Sequence, residues 1–367
     1  MENLEEALAR TGSATLAALA ALEATQRRLH PPEIPHLRAD LKPFRDELSA
    51  AVPILGGVQA PAALANVKDA LVRSAELAAE ACTAFCDDAA PGEWVYSILR
   101  AMRTFAHALE ALYPLHRLPP VGRYFAERPV HDRLDELDPE PAAGVSVGLH
   151  TSGSAQNVGE RGGFCLYVPE YYVADRSWPL VVALHGGSGT GREYLWAWVR
   201  EARSRGFLVL APTARGPTWS MLGPDTDGAA ITSMLEYVCG RWSVDRTRIL
   251  LTGLSDGATY GLSLALREGS PFSAVAPVAG TLHPRFMTDA GISVARGKRI
   301  YLVHGALDWM FSVQQARFAH ERLAAAGAEI VYREIADLSH TYPREENGPI
   351  LEWFDPALGF PVESTIG

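Results

Sequence analysis

Three short stretches, far apart in the chain, carry residue types that together could do nucleophilic chemistry. Gly253-Leu254-Ser255-Asp256-Gly257 sets a serine between glycines. His304-Gly305-Ala306-Leu307-Asp308 ends on a carboxylate, and Asp337-Leu338-Ser339-His340 ends on an imidazole. A serine hydroxyl is a poor nucleophile at neutral pH and needs a base to take its proton. An imidazole held in one tautomer by a carboxylate is such a base. The order serine, acid, histidine is one of those in which this set recurs. The expected roles are therefore Ser255 as nucleophile, His340 as base and Asp308 as the residue that orients and stabilises the imidazole. Asp337, closer to His340 in sequence, is the rival acid. His304 ends a buried strand and reads as structural.

The serine pentapeptide gains meaning from its setting. It follows the apolar run Ile249 to Leu251 and precedes a helix-like run from Ala258 to Arg267. A nucleophile on so sharp a strand-to-helix turn needs small residues two before and two after, because neighbouring backbone passes close. A fourth stretch, His185-Gly186-Gly187-Ser188-Gly189, follows another apolar run, Leu180 to Leu184. Its glycines let backbone approach a developing oxyanion, with the N–H groups of Gly187 and Asp256 as donors. A phosphate loop is the other reading of such glycines. The stretch lacks the Walker lysine and the G-x-G-x-x-G spacing.

Elements that could position these loops are legible from about residue 145. Val145 to His150 and Phe164 to Val168 read as a strand pair. Leu180 to Leu184, Phe207 to Leu210, Ile249 to Leu251, Ala274 to Val278, Ile300 to Val303 and Ile330 to Ile335 read as short buried strands. Stretches of helical length separate most of them. Strand–helix alternation implies a mostly parallel sheet covered on both faces, with its site at the carboxyl ends of the strands. The four motifs fall there.

The first 140 residues have a different grammar. Leu4, Leu8, Leu16, Leu19 and Leu22 recur at three- and four-residue steps. A second helix should begin after Pro35 and fade near Pro53. Pro61 suits a helix start, with Leu64, Val67 and Leu71 on one face. Asp87 to Gly92 breaks the pattern. Trp94, Ile98, Met102, Phe105, Leu109 and Leu112 stripe a further helix, stopped by Pro114. This predicts an all-α helical bundle over residues 1–140, serving as a cap or an oligomerisation element. The linker-like Asp138-Pro139-Glu140-Pro141 then leads into an α/β domain over 141–367.

With these motifs in order, residues from about 145 to 360 resemble an α/β-hydrolase serine esterase. The similarity is to the phospholipase/carboxylesterase group and to polyhydroxybutyrate-depolymerase- or feruloyl-esterase-like proteins. It rests on the H-G-G loop at His185 to Gly187, the G-L-S-D-G turn, the H-G-x-x-D run at His304 to Asp308 and the late Ser339-His340. The resemblance implies an α/β-hydrolase fold, carboxylic-ester hydrolysis through an acyl-enzyme, and no metal or cofactor. A thioesterase or peptidase would use the same three side chains. A non-catalytic interaction protein would not need them. Compact members of the group lack the helical first 140 residues.

Large apolar residues accompany the motifs: Trp196 and Trp198, Trp219 and Met221, then Trp309, Met310 and Phe311. Of these, Trp219, Trp309 and Met310 are the candidate pocket residues, suited to small or medium acyl or aryl esters. Composition bounds the alternatives. A formal net charge of −10 argues against a broad nucleic-acid surface. Four scattered cysteines form no disulfide framework. The start, Met-Glu-Asn-Leu-Glu-Glu, is acidic where a secretory leader is basic, and no run suffices for a membrane span. The expectation is a cytoplasmic protein whose partner is a small ester, with the helical part able to pair with a second copy.

Overall fold

The computed structural model describes residues 3–87, 94–140, 144–156 and 160–360. The chain divides into two compact units, Met1–Phe125 and Ala126–Gly367. The first holds four long helices, α1 (Leu4–Arg27), α2 (Ile34–Gly57), α3 (Ala62–Cys86) and α4 (Trp94–Leu112), then the short α5 (Pro119–Tyr124). A capping box starts α1: Asn3 accepts from the Glu6 amide at 2.9 Å, and the Glu6 carboxylate accepts from the Asn3 amide at 3.1 Å.

The buried stripe of α1 differs from the expected leucine face. It runs Ala7, Thr11, Thr15, Ala18, Leu19, Leu22 and Thr25. In α3 it includes Leu71, Ser74, Ala75, Ala78, Cys82 and Phe85, while Leu64 is exposed. Small side chains line the seams, and the larger leucines at positions 4, 8 and 16 flank them, half-buried. Helix α2 does not fade at Pro53 but continues one turn to Gly57. A proline forfeits one intrahelical bond, here to Ser49, and so near the end of a helix little structure depends on it. Of the expected breaks, residues 88–92 and Pro141 lie outside the described residues.

The second unit is built on one eight-stranded sheet. In chain order its strands are β1 (Gly148–Ser152), β2 (Phe164–Val168), β3 (Trp178–Leu184), β4 (Leu208–Pro212), β5 (Val244–Leu254), β6 (Ala274–Val278), β7 (Arg299–Gly305) and β8 (Glu329–Ile335). In space they run β1-β2-β4-β3-β5-β6-β7-β8. The pairs β1–β2 and β2–β4 are antiparallel; every other pair is parallel. The helices are α6 (Leu134–Leu137), α7 (Gly191–Tyr194), α8 (Val199–Arg205), α9 (Thr226–Arg241), α10 (Asp256–Ala265), α11 (Asp289–Ile292), α12 (Val313–Ala325) and α13 (Asn347–Phe354). This is the α/β-hydrolase fold, preceded in the chain by the helical unit. Strands β2, β3, β4 and β6 are buried at every position, as a sheet covered on both faces requires. Edge strand β8 is partly exposed.

The units divide at residue 125, where the sequence suggested about 140. Residues Ala126, Val130 and Leu137 pack with Tyr171 and Phe360 of the second unit. Arg203, with no exposed side-chain surface, bonds Asp138 at 2.5 Å and Glu170 at 2.9 Å. Arg205 holds both carboxylate oxygens of Glu127, at 2.6 and 2.8 Å. The apparent linker is thus tied to the sheet unit by buried charge. Among the described residues, no helix is long and apolar enough to cross a membrane.

Candidate active site

Strand β5 delivers Ser255 and helix α10 begins at the next residue, leaving no room for an ordinary turn. Ser255 has φ 56° and ψ −117°, a backbone state that L-residues adopt at a cost in strain. Its amide donates to the Val278 carbonyl at 2.9 Å, which helps hold that state. The two glycines are sterically fixed. A Cβ on Gly253 would lie 2.6 Å from the Gly257 backbone, and one on Gly257 would collide with the carbonyls of Leu184 and His185. The β3 end and the serine turn therefore pack backbone against backbone.

The loop after β7 carries Asp308, and the loop after β8 carries His340. The structure brings both to Ser255. His340 Nε2 lies 3.0 Å from Ser255 Oγ. His340 Nδ1 donates to Asp308 Oδ2 at 2.8 Å. The other oxygen, Oδ1, accepts from the amides of Met310 at 2.9 Å and Phe311 at 2.8 Å. Burial pushes the Asp308 carboxyl up, but the bond and charge of His340 and the Phe311 amide outweigh it and hold the carboxyl below its ordinary value. The rival acid Asp337 is exposed, and the Nδ1 position it would need is taken by Asp308. The Phe311 ring meets the His340 ring edge-on, with centroids 5.3 Å apart.

The glycine loop after β3 runs alongside. A Cβ on Gly186 would sit 3.7 Å from Ser255 Cβ, and one on Gly187 would sit 2.8 Å from Asp256 Oδ2. Among the described residues, the N–H groups of Gly187 and Asp256 bond no internal acceptor. Asp256 opens α10, where amides are free by the geometry of a helix and carry the positive end of its dipole. Its carboxylate accepts from the Thr218 hydroxyl at 2.6 Å.

His185 locks the loop from below. Its Nδ1 donates to the Gly186 carbonyl at 2.6 Å, and its Nε2 accepts from the Ala214 amide at 3.0 Å. Burial brings its pKa down to about 4, which keeps the ring neutral near pH 7 and able to donate from one nitrogen while accepting at the other. Trp219 belongs to the same support. Expected to line a pocket, it is instead 2% exposed. Its Nε1 donates to the His185 carbonyl at 2.8 Å, and its ring lies against His185 and stacks on Tyr260. An indole with a buried N–H takes a buried acceptor, and here the acceptor lies beneath the loop. Trp198 is likewise core. Trp309 and Met310, on the turn after Asp308, stand at the surface, 46% and 50% exposed.

Sequence reasoning missed the residues that anchor the segment from Arg215 to Gly228. Asp227, 2% exposed, accepts from the amides of Arg215 at 3.0 Å and Ser220 at 2.8 Å. Asp225 caps α9 through the Gly228 amide at 2.9 Å and also binds Tyr260, Ser220 and Arg267. Burial raises the Asp225 carboxyl, yet these donors bring it down to about 2. An aspartate just before a helical run was the available signal.

Residues 229–354 match the phospholipase/carboxylesterase family. The matched segment holds Ser255, Asp308 and His340; the glycine loop precedes it. Acetylxylan esterase A of Emericella nidulans is 25% identical over 170 residues, 43% of this chain and 54% of that protein. Poly(3-hydroxyalkanoate) depolymerase C of Paucimonas lemoignei is 31% identical over 114 residues, 28% of each chain. The chain thus spans about half the length, or less, of these relatives. A solved thermostable esterase aligns with a TM-score of 0.47 and 24% identity, covering 56% of this chain and 61% of its own.

Proposed function

We propose that the protein is a serine carboxylesterase that hydrolyses small to medium acyl or aryl carboxylic esters through an acyl-enzyme. The observation that carries this reading is the bonded series Ser255 Oγ, His340, Asp308, with contacts of 3.0 and 2.8 Å, on a strained strand-to-helix turn. The phospholipase/carboxylesterase match and the esterase names of the relatives support it.

Ser255 Oγ attacks the ester carbonyl carbon while His340 Nε2 takes the hydroxyl proton. The carbonyl π pair moves onto oxygen, and the amides of Gly187 and Asp256 donate to that oxyanion. Asp308 stabilises the imidazolium without taking its proton. Collapse breaks the bond to the alcohol oxygen, which receives the proton from Nε2 and leaves. Water then gives a proton to His340 as it attacks the acyl group. The second collapse returns the proton to Ser255 Oγ and frees the acid. The exposed Trp309 and Met310 beside Asp308 suit an apolar acyl or aryl group.

The helical unit is read as a cap or an oligomerisation module. Tyr96 and Leu99, exposed on α4, favour association with a second copy. A cytoplasmic setting fits four cysteines that form no disulfide. Ser255→Ala tests the reading: turnover of p-nitrophenyl acetate should fall by at least ~10³-fold. Near-normal turnover in that variant would remove the proposal. Matched ester, thioester and amide substrates, run on the native protein, separate esterase from thioesterase and peptidase.

A further inference from the structure

A second imidazole sits on the Asp308 side of the site. His304, at the end of β7, has no exposed side-chain surface. Its Nε2 is 2.8 Å from the Phe311 carbonyl oxygen and 3.4 Å from Asp308 Oδ2. Both neighbours only accept, so Nε2 carries the hydrogen and donates to the carbonyl, with the carboxylate as a second, weaker acceptor. The other nitrogen, Nδ1, is buried without a hydrogen-bond partner. A hydrogen there would be buried without an acceptor, so the hydrogen bond this ring makes is the one donated from Nε2.

The turn from Asp308 to Phe311 is thereby closed twice. Asp308 Oδ1 ties it from within through the amides of Met310 and Phe311. His304 ties its far end back to the strand through the Phe311 carbonyl. Phe311 in turn sets its ring edge against His340. His340 is thus located on two sides, by the carboxylate at Nδ1 and by the Phe311 ring, and His304 touches the mounting of both.

We infer that His304 is a positioning residue for the Ser255–His340 pair: its Nε2–H fixes the 308–311 turn and so aims the His340 imidazole at the serine. This rests on the esterase reading above. His304 never meets substrate. It acts by keeping two partners of His340 in register, and displacement of a catalytic group by about 1 Å is enough to slow a reaction roughly 10²-fold.

The variants follow from where the hydrogen sits. In His304→Gln the side-chain amide nitrogen can fall where Nε2 was; in His304→Asn it falls nearer Nδ1. Rates are taken per reactive site, counted by burst titration with p-nitrophenyl acetate or by fluorophosphonate uptake. His304→Asn should lose kcat by roughly 10- to 100-fold with KM within a factor of two or so, while His304→Gln recovers most of the native kcat. Equal kcat in all three proteins, or equal losses in both variants, overturns the inference. So does a loss that vanishes once inactive molecules are discounted, because that is mere destabilisation. Should the buried variants not fold, Phe311→Leu keeps apolar cover and removes the ring edge. It should lower kcat per site about 10-fold at constant KM, and native kcat in it would also overturn the inference. Failure of the esterase reading is separate: the native protein itself would then neither turn over esters nor take up the probe.

Discussion

At the residue scale, each group at the site is held by an opposing constraint. Ser255 keeps a strained backbone because Gly253, Gly257 and the β3 end leave nowhere else for the chain to pass. Asp308 keeps its charge while buried because two amides and an imidazole donate to it. Asp308→Asn removes the acceptor that fixes the imidazole tautomer, so kcat should fall about 10⁴-fold. Asp337→Asn should leave kcat close to native; steady-state kinetics showing the reverse would exchange the two acids. These side chains were legible because each lies in a short motif at a strand's carboxyl end. Trp219 misled because sequence shows an aromatic near a motif but not which way it faces; its indole N–H finds its acceptor beneath the loop. Partners such as Thr218 for Asp256, or Phe311 for His304, depend on loop paths that no local pattern encodes.

At the element scale, parallel strands set the loops and the loops carry the chemistry. The buried strands were legible as apolar runs, but polar extensions were not. Strand β5 begins at Val244, five residues before the expected run, because Val244 pairs with Trp178 ahead of a register shift; the polar residues 245–248 that follow have no partner in that ladder. Strand β1 begins at Gly148, not Val145, because its register with β2 decides its limits. The stripes of α1 and α3 were legible only at leucines such as Leu19, Leu22 and Leu71, because alanine, serine and threonine fill many of the other buried positions. The segment between β4 and α9 supports the glycine loop and hangs on Asp225 and Asp227. The Asp225 carboxyl sits at about 2 when folded, below its ordinary value near ~3.9. Its stabilising contribution is therefore full above pH ~5 and fades as pH falls from ~4 toward 2. Denaturant midpoints of native protein and Asp225→Asn should differ most at pH 7, and the gap should shrink steadily as pH falls from ~4 toward 2. A gap that stays constant over that range contradicts this role.

At the scale of the whole molecule, the division of the chain follows buried charge and not composition. The sequence reads residues up to 140 as part of the helical bundle and Asp138 to Pro141 as a linker, yet Asp138 and Glu127 reach Arg203 and Arg205 within the sheet unit. Arg203 is fully buried, so Asp138→Ala removes one of its carboxylate partners and should destabilise by roughly 3 kcal/mol. Calorimetry should register a Tm several degrees lower; an unchanged Tm would return that segment to the status of a linker. The net charge of −10 is a property of the surface and does not choose the reaction. On the proposed esterase reading, the reaction is chosen by one hydroxyl. The most direct measurement is the intact mass of the full chain after fluorophosphonate treatment, with peptide mapping of the adduct. One equivalent of probe on Ser255, with esterase activity lost in proportion, is the predicted result. Ester hydrolysis that continues after full labelling, or an adduct on another residue with Ser255 untouched, would contradict the account.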